Sequence, residues 1–260
     1  MSEITFEYGA LIHGRQNQMG AFDADLNSDV RNATTNADLT LYIRINFQQI
    51  DPTATSRTYR DSDGSAVPIR AWRPGEFAQW KRRFLTDCRN KWHGKFWLLT
   101  PAMYTNLNWP SARPTHRCNL YCRFEISEQA TPEGAHAVIP VVHVDGRHFF
   151  RSEMLLYSSN DLRAERLTPG SNFFTHVHEI GHLIGLEHPG HGRPGCKTGG
   201  EAVCYASADG DTRGVMGMGS LIRAEYAQPW SRAASILTGV EQASWTVSLQ
   251  RAFPRPLAGR

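Results

Sequence analysis

The most constraining feature of this chain is the spacing of three histidines, His178, His182 and His188, with Glu179 directly after the first and Gly185 between the second and third. On a helix, positions four apart share a face, so His178 and His182 can aim both imidazoles at one metal ion. Neutral imidazole is a good zinc ligand. Glu179 sits beside the first ligand, where its carboxylate can approach the open side of the metal without coordinating it. An unbroken helix would carry His188 about 15 Å along the axis from His178, out of reach of the same ion. Gly185 removes that obstacle. Glycine tolerates positive φ and commonly ends a helix, so the chain can turn there and swing His188 back. Three histidines with one open position describe a reactive zinc site rather than a closed structural one.

The neighbours of this string have plainer roles. His176 points to another side of the helix and reads as structural or exposed. His191 is placed to touch a supporting carboxylate or the cleft, and Glu187 reads as surface or support.

Composition places the string in an ordinary globular chain of 260 residues. That length permits one large domain or two small ones. The histidine cluster favours one domain. Five of the seven tryptophans fall between positions 72 and 109, and eleven of the 22 glycines between 181 and 219. These zones read as two subdomains, about 39–188 and a glycine-rich 189–250, flanking a metal site. Residues 1–38 read as an N-terminal extension, partly ordered at most, and 251–260 as a basic tail. The formal charge of +3 is too small to argue for a nucleic-acid partner. No apolar run approaches the ~18 residues of a membrane span. The start, MSEITFEYGA, lacks a basic region followed by an apolar run, so the expectation is a cytoplasmic protein or one secreted by a non-classical route.

The coarse elements follow from periodicity. Residues 39–50 alternate as a strand, and Phe77, Trp80, Phe84, Leu85 and Cys88 mark a helix from about 75 to 92. Short strands are expected at KFWLLT, CNLYCRFEIS, AHAVIPVVHVD and within HFFRSEMLLYSS. A helix capped by Ser171 or Asn172 should carry the histidines to about 186, a last helix should lie near 223–238, and a strand near 245–249. Trp97 and Trp109 read as packing residues. Pro140 cannot donate a ladder hydrogen bond, which favours a sheet edge there. Val138, Ile139, Val141 and Val142 are therefore the candidate strand for pairing with an extended substrate. Asp23, Asp25, Asn27 and Asp29 alternate oxygen ligands like the opening of a calcium loop, though without its glycine and glutamate, so a structural Ca2+ has weak support. Cys118–Cys122 and Cys196–Cys204 are the close spacings that could form disulfides, and Cys88 completes an odd set of five.

The string HEIGHLIGLEH resembles the HExxHxxGxxH pattern of the metzincin clan of zinc metalloproteases. The resemblance implies an α/β (α+β) fold: a mixed twisted sheet with two long helices above a zinc cleft, and an irregular lower half with a C-terminal helix. It implies His178, His182 and His188 as zinc ligands, Glu179 as general base and Gly185 as the turn residue. It also implies a structural methionine beneath the site, Met216 or Met218 in GVMGMG. Neither methionine has a tyrosine two residues on, where some members carry one, and Tyr226 lies farther along.

The expected activity is a zinc-dependent endopeptidase acting on a protein or peptide, with a secreted effector or toxin as one biological setting. The alternative is an inactive zinc-containing binding or structural protein of the same fold. Against that alternative stands Glu179, which a purely structural site does not need.

Overall fold

The alternation from Leu39 to Phe47 builds the central strand of the protein. A computed structural model describes residues 3–8, 20–27, 36–101, 119–146, 148–192, 196, 201–205 and 211–250. In chain order the first elements are β1 (Glu3–Tyr8), β2 (Phe22–Asn27), β3 (Asn36–Ile50) and the small hairpin of β4 (Thr58–Arg60) and β5 (Ala66–Pro68). Helix α1 (Glu76–Trp92) follows, then β6 (Phe96–Leu99), β7 (Asn119–Glu128), β8 (Ala137–Val142) and β9 (Tyr157–Ser158). A second hairpin, β10 (Glu165–Thr168) and β11 (Ser171–Phe173), leads into helix α2 (Thr175–Leu183). The chain closes with the one-turn helix α3 (Glu201–Cys204), helix α4 (Gln228–Thr238) and β12 (Thr246–Ser248). This is a mixed α/β architecture.

The main sheet runs in the order β1-β2-β3-β7-β6-β12, with β8 and β9 continuing beside the far end of β3. The pairs β3–β7, β3–β8 and β8–β9 are parallel, and the others are antiparallel. Side chains alternate across a pleated strand. Leu39, Leu41, Ile43, Ile45 and Phe47 of β3 and Leu120, Cys122, Phe124 and Ile126 of β7 all point into the core.

Both larger flanking helices dock on that face. Trp80, Phe84, Cys88 and Trp92 recur every fourth residue along α1 and are buried, and Phe84 meets Phe47 edge-on at 5.1 Å between ring centroids. On α4, Trp230 packs on Phe96 and donates its indole N–H to the Arg123 carbonyl at 2.8 Å. The last helix starts with a 3-10 turn at Ala224–Ala227 before becoming α-helical. Among the described residues, no helix is long and apolar enough to cross a membrane.

Several expectations change. The sheet begins before residue 39: β2 pairs with β3, and Phe22, Ala24 and Leu26 are buried in the core. Asp23 and Asp25 of the calcium-loop pattern lie on β2, on the face opposite Phe22, Ala24 and Leu26, and Asp25 is itself buried. Oxygen ligands at every second position and a strand with one polar face have the same period. Asp23 pairs with Arg44 and lies 3.3 Å from His136 Nε2, while Asp29 is outside the described residues. The helix carrying the histidines is shorter than expected. Ser171–Phe173 pairs with β10 instead of capping it, Phe174 is extended, and α2 is 9 residues long. Within HFFRSEMLLYSS only Tyr157–Ser158 forms a strand. Cys122 is a free, buried residue on the inner face of β7, so no Cys118–Cys122 bridge forms. Cys196 and Cys204 are joined by a disulfide. Trp97 is buried, as expected of a packing residue. Cys118, Trp109 and the tail 251–260 lie outside the described residues.

Candidate metal centre

Helix α2 carries His178, Glu179 and His182 and is locked against α1. The Trp92 indole N–H donates to the Val177 carbonyl at 3.2 Å. His176, two residues before the first ligand, is fully buried. Its Nδ1 bonds the Asp161 carbonyl at 2.8 Å, and its Nε2 lies 3.5 Å from the Asp87 carboxylate. Its role is structural, as its position on the helix suggested.

The end of α2 explains how His188 returns. Gly185 has φ 95°, a left-handed conformation that side chains with a β-carbon adopt only under strain. The Leu186 N–H reaches the Gly181 carbonyl and the Gly185 N–H reaches the His182 carbonyl, each at 2.9 Å. This is the Schellman pattern, which satisfies helix carbonyls while reversing the chain. The Leu183 carbonyl is taken by the Gly20 N–H at 2.7 Å.

After that reversal three imidazoles converge. His178 Nε2 lies 3.0 Å from His188 Nε2 and 3.1 Å from His182 Nε2, and the His182–His188 separation is 2.9 Å. The outer nitrogens fix the tautomers of two rings. His178 Nδ1 donates to the Val215 carbonyl and His182 Nδ1 to the Leu186 carbonyl, both at 2.8 Å. Their Nε2 atoms are therefore bare lone pairs, and lone pairs pointed at one another repel unless a cation lies between them. A tetrahedral zinc with Zn–N of about 2.0–2.1 Å has N···N edges of roughly 3.3 Å, close to the separations here. Among the described residues these three histidines are the group whose ligand atoms come together this way. The donor set fits a metal ion of zinc's preferences.

Burial shapes the protonation of the site. It pushes His182 down to about 4 and His188 down to about 3, and holds His178 well below its ordinary value, so all three rings are neutral as ligands must be. Glu179 is shifted the other way. Burial first, then the nearby Asp161 and Glu153, raise its carboxyl well above the ordinary range. A cation at the imidazoles would pull it back down.

Glu179, His182 and His188 form the floor of an open cleft. The segment Arg151–Leu155, Ser62 and Asp63 from the β4–β5 hairpin, and Tyr205 complete its lining. The expected substrate strand is not part of this cleft. Ile139, Val141 and Val142 are buried in the core, and Val138 is partly exposed elsewhere. Nor is β8 an edge along its length, since Val141 and Val142 pair with β9 as well as with β3. That second ladder starts one residue beyond Pro140, so the missing N–H costs no bond there.

The two candidate methionines differ in burial. Met216 is fully buried and packed against Gly181 on the underside of α2, directly after Val215, whose carbonyl holds His178. Met218 is only half-buried. Tyr226 is buried against Trp92 and does not line the cleft. His191 lies 3.3 Å from the Glu187 carboxylate at the surface. Tyr205 was not singled out by sequence. No spacing rule points to it, and the only clue is an aromatic residue directly after a cysteine in the glycine-rich half.

No family model, curated protein or solved structure matches this chain. What the fold and site define is a mixed α/β protein with a three-histidine metal-site candidate at the floor of a cleft.

Proposed function

We propose that this protein is a zinc-dependent endopeptidase of the metzincin kind. The observation that carries the reading is the convergence of three neutral imidazole nitrogens at 2.9–3.1 Å with Glu179 beside them, open to a cleft. A histidine-only structural site would need neither the open side nor the carboxylate. The Gly185 reversal and the buried Met216 under α2 support the same reading.

His178, His182 and His188 would hold the zinc, which would supply Lewis acidity at the substrate carbonyl. Glu179 takes the proton from the attacking water at a carboxylate oxygen and delivers it to the leaving amine. A cation at the imidazoles would favour the ionised carboxylate, the form that can accept that proton. The Val215 and Leu186 carbonyls keep two ligand rings in the tautomer that coordinates. The segment Arg151–Leu155 and Tyr205, which line the cleft, confine an extended peptide over the floor.

The test is metal analysis together with cleavage of a peptide library by wild type and Glu179→Gln. The expected result is one zinc per chain in both, with cleavage by the wild type reduced about 10²–10⁴-fold in the variant. A chelator-insensitive activity, or a Glu179→Gln variant at full rate, overturns the proposal. Zinc binding without cleavage would favour the inactive alternative.

A further inference from the structure

The three histidines are not supported alike. His178 and His182 each have a backbone carbonyl on the outer nitrogen, and both stand on a regular helix. His188 stands on irregular chain beyond the Gly185 reversal, and among the described residues no carbonyl receives its Nδ1. Its imidazole is instead flanked by an aromatic ring. The centroid of Tyr205 lies 4.2 Å away with the planes tilted by 43°. The same ring is 5.8 Å from His178.

Tyr205 is itself fixed through its neighbour. It directly follows Cys204, which is bonded to Cys196. The Cys204 carbonyl also accepts the Gly190 N–H at 2.8 Å. The strand of chain just past His188 and the turn carrying Tyr205 are thus joined by a backbone bond, and the turn is closed by a cross-link. A cross-link restricts the loop it closes.

We propose that Tyr205, held by the Cys196–Cys204 disulfide, is the positioning residue for His188, and that metal retention depends on this clamp. The inference rests on the metal-site reading above. The tyrosine ring does for the third ligand what the Val215 and Leu186 carbonyls do for the other two: it narrows the orientations of the imidazole before metal arrives. Groups that orient ligands in this way typically contribute about 10–100-fold to metal affinity. The ring carries the effect, so the hydroxyl is dispensable for it.

The test is zinc affinity of the full chain, measured by competition with a chromophoric chelator, with circular dichroism as the check on folding. The expected result is Tyr205→Phe close to wild type. Tyr205→Leu and the double variant Cys196→Ala/Cys204→Ala should each bind zinc about 10–100-fold more weakly. In a His188→Ala background, Tyr205→Leu should cost nothing further, because the residue it positions is gone. Unchanged affinity in Tyr205→Leu overturns the inference, as does a loss that persists at full size without His188. A Tyr205→Phe variant as weak as Tyr205→Leu would transfer the role to the hydroxyl and overturn it too. Should the disulfide variant fail to fold, the Tyr205 series alone decides. A wild type that binds no zinc refutes the metal site itself, and is separable from all of these results.

Discussion

The sulfur of Met216 occupies the space that a β-carbon on Gly181 would need, so the helix bearing two of the histidines rests on the methionine with no room between them. The Trp92 ring closes the same spot from the side, at 3.1 Å from that position. Gly181→Ala gains about 1 kcal/mol of helix propensity but forces a methyl group into a filled core, which costs about 1–3 kcal/mol. The expected net effect is a loss of stability. In a Met216→Ala background the overlap disappears and the propensity gain should emerge, so Gly181→Ala should then be neutral or stabilising. Denaturant melts of the four proteins give the coupling energy. Equal effects in both backgrounds would mean that the methionine moves aside freely.

Removing the metal should destabilise the whole fold. The ligands come from α2 and from the chain beyond its reversal, so an ion bound to all three ties both together. Zinc at about a thousand times its Kd stabilises by ~4 kcal/mol through mass action. For a chain of this size each kcal/mol moves the thermal midpoint by ~2–4 °C. A chelator should therefore lower Tm by about 8–16 °C, and added zinc should restore it. Scanning fluorimetry with and without chelator reads this directly. A midpoint indifferent to both would argue that nothing binds there.

The parts of this site that were legible in the sequence are those set by local geometry. Helical spacing places His178 and His182 together, and a glycine at 185 permits the reversal that brings in His188. The helix from Gly75 to Trp92 and the strand from Leu39 were legible for the same reason, because one periodic face is buried in each. What was not legible depends on pairing across the fold. The strand Phe22–Asn27 shows its polar half as a ligand pattern until β3 pairs with it. Pro140 suggests an edge until β9 is seen to start just after it. Tyr205 reaches His188 through a disulfide, whose cysteine spacing was legible, and through a backbone bond, which leaves no spacing signature. The end of the histidine helix at Thr175 was hidden because Ser171 caps helices well in isolation, and only the β10 hairpin claims it for a strand.

Asp161 should give the fold a pH-dependent term. It is buried near Glu179, and its carboxylate accepts bonds from the Ser158 N–H, the Ser158 hydroxyl and the Ser152 hydroxyl. Burial nevertheless pushes it up to about 7. In the unfolded chain an aspartate titrates near 3.9. Between these values the folded state holds a proton that the unfolded state has lost, so stability falls as pH rises from about 4 to about 7. Asp161→Asn removes this term. Measured in chelator to exclude metal effects, wild type should lose more unfolding free energy over that range than the variant does. The difference should be on the order of a few kcal/mol. The ligand histidines titrate in both proteins, whereas the Glu179 carboxyl is raised in part by Asp161, so the comparison reads Asp161 together with its effect on Glu179. Parallel profiles would mean that the three hydrogen bonds keep Asp161 ionised throughout.

The wall of the cleft should depend on Asp61, which touches neither the metal ligands nor the cleft. One of its oxygens accepts the Ser65 N–H at 2.8 Å and the Asp63 N–H at 3.1 Å, shaping the tip of the β4–β5 hairpin. The other accepts the Arg151 N–H at 3.3 Å. Next to it, the Ser62 N–H and hydroxyl both donate to the Arg151 carbonyl, at 3.1 and 2.9 Å. The hairpin tip thus grips the start of the segment Arg151–Leu155 on both sides of one residue. Asp61→Ala leaves three backbone N–H groups without this partner, which should cost about 1–3 kcal/mol of stability. If that wall holds the peptide, the loss falls on binding: KM should rise, by about tenfold for each ~1.4 kcal/mol of lost positioning, with kcat and zinc content little changed. Asp61→Asn keeps one acceptor and should fall between the two. A fall in kcat at constant KM would instead place the effect at Glu179 and the metal, and would show that the wall supports the floor rather than the substrate.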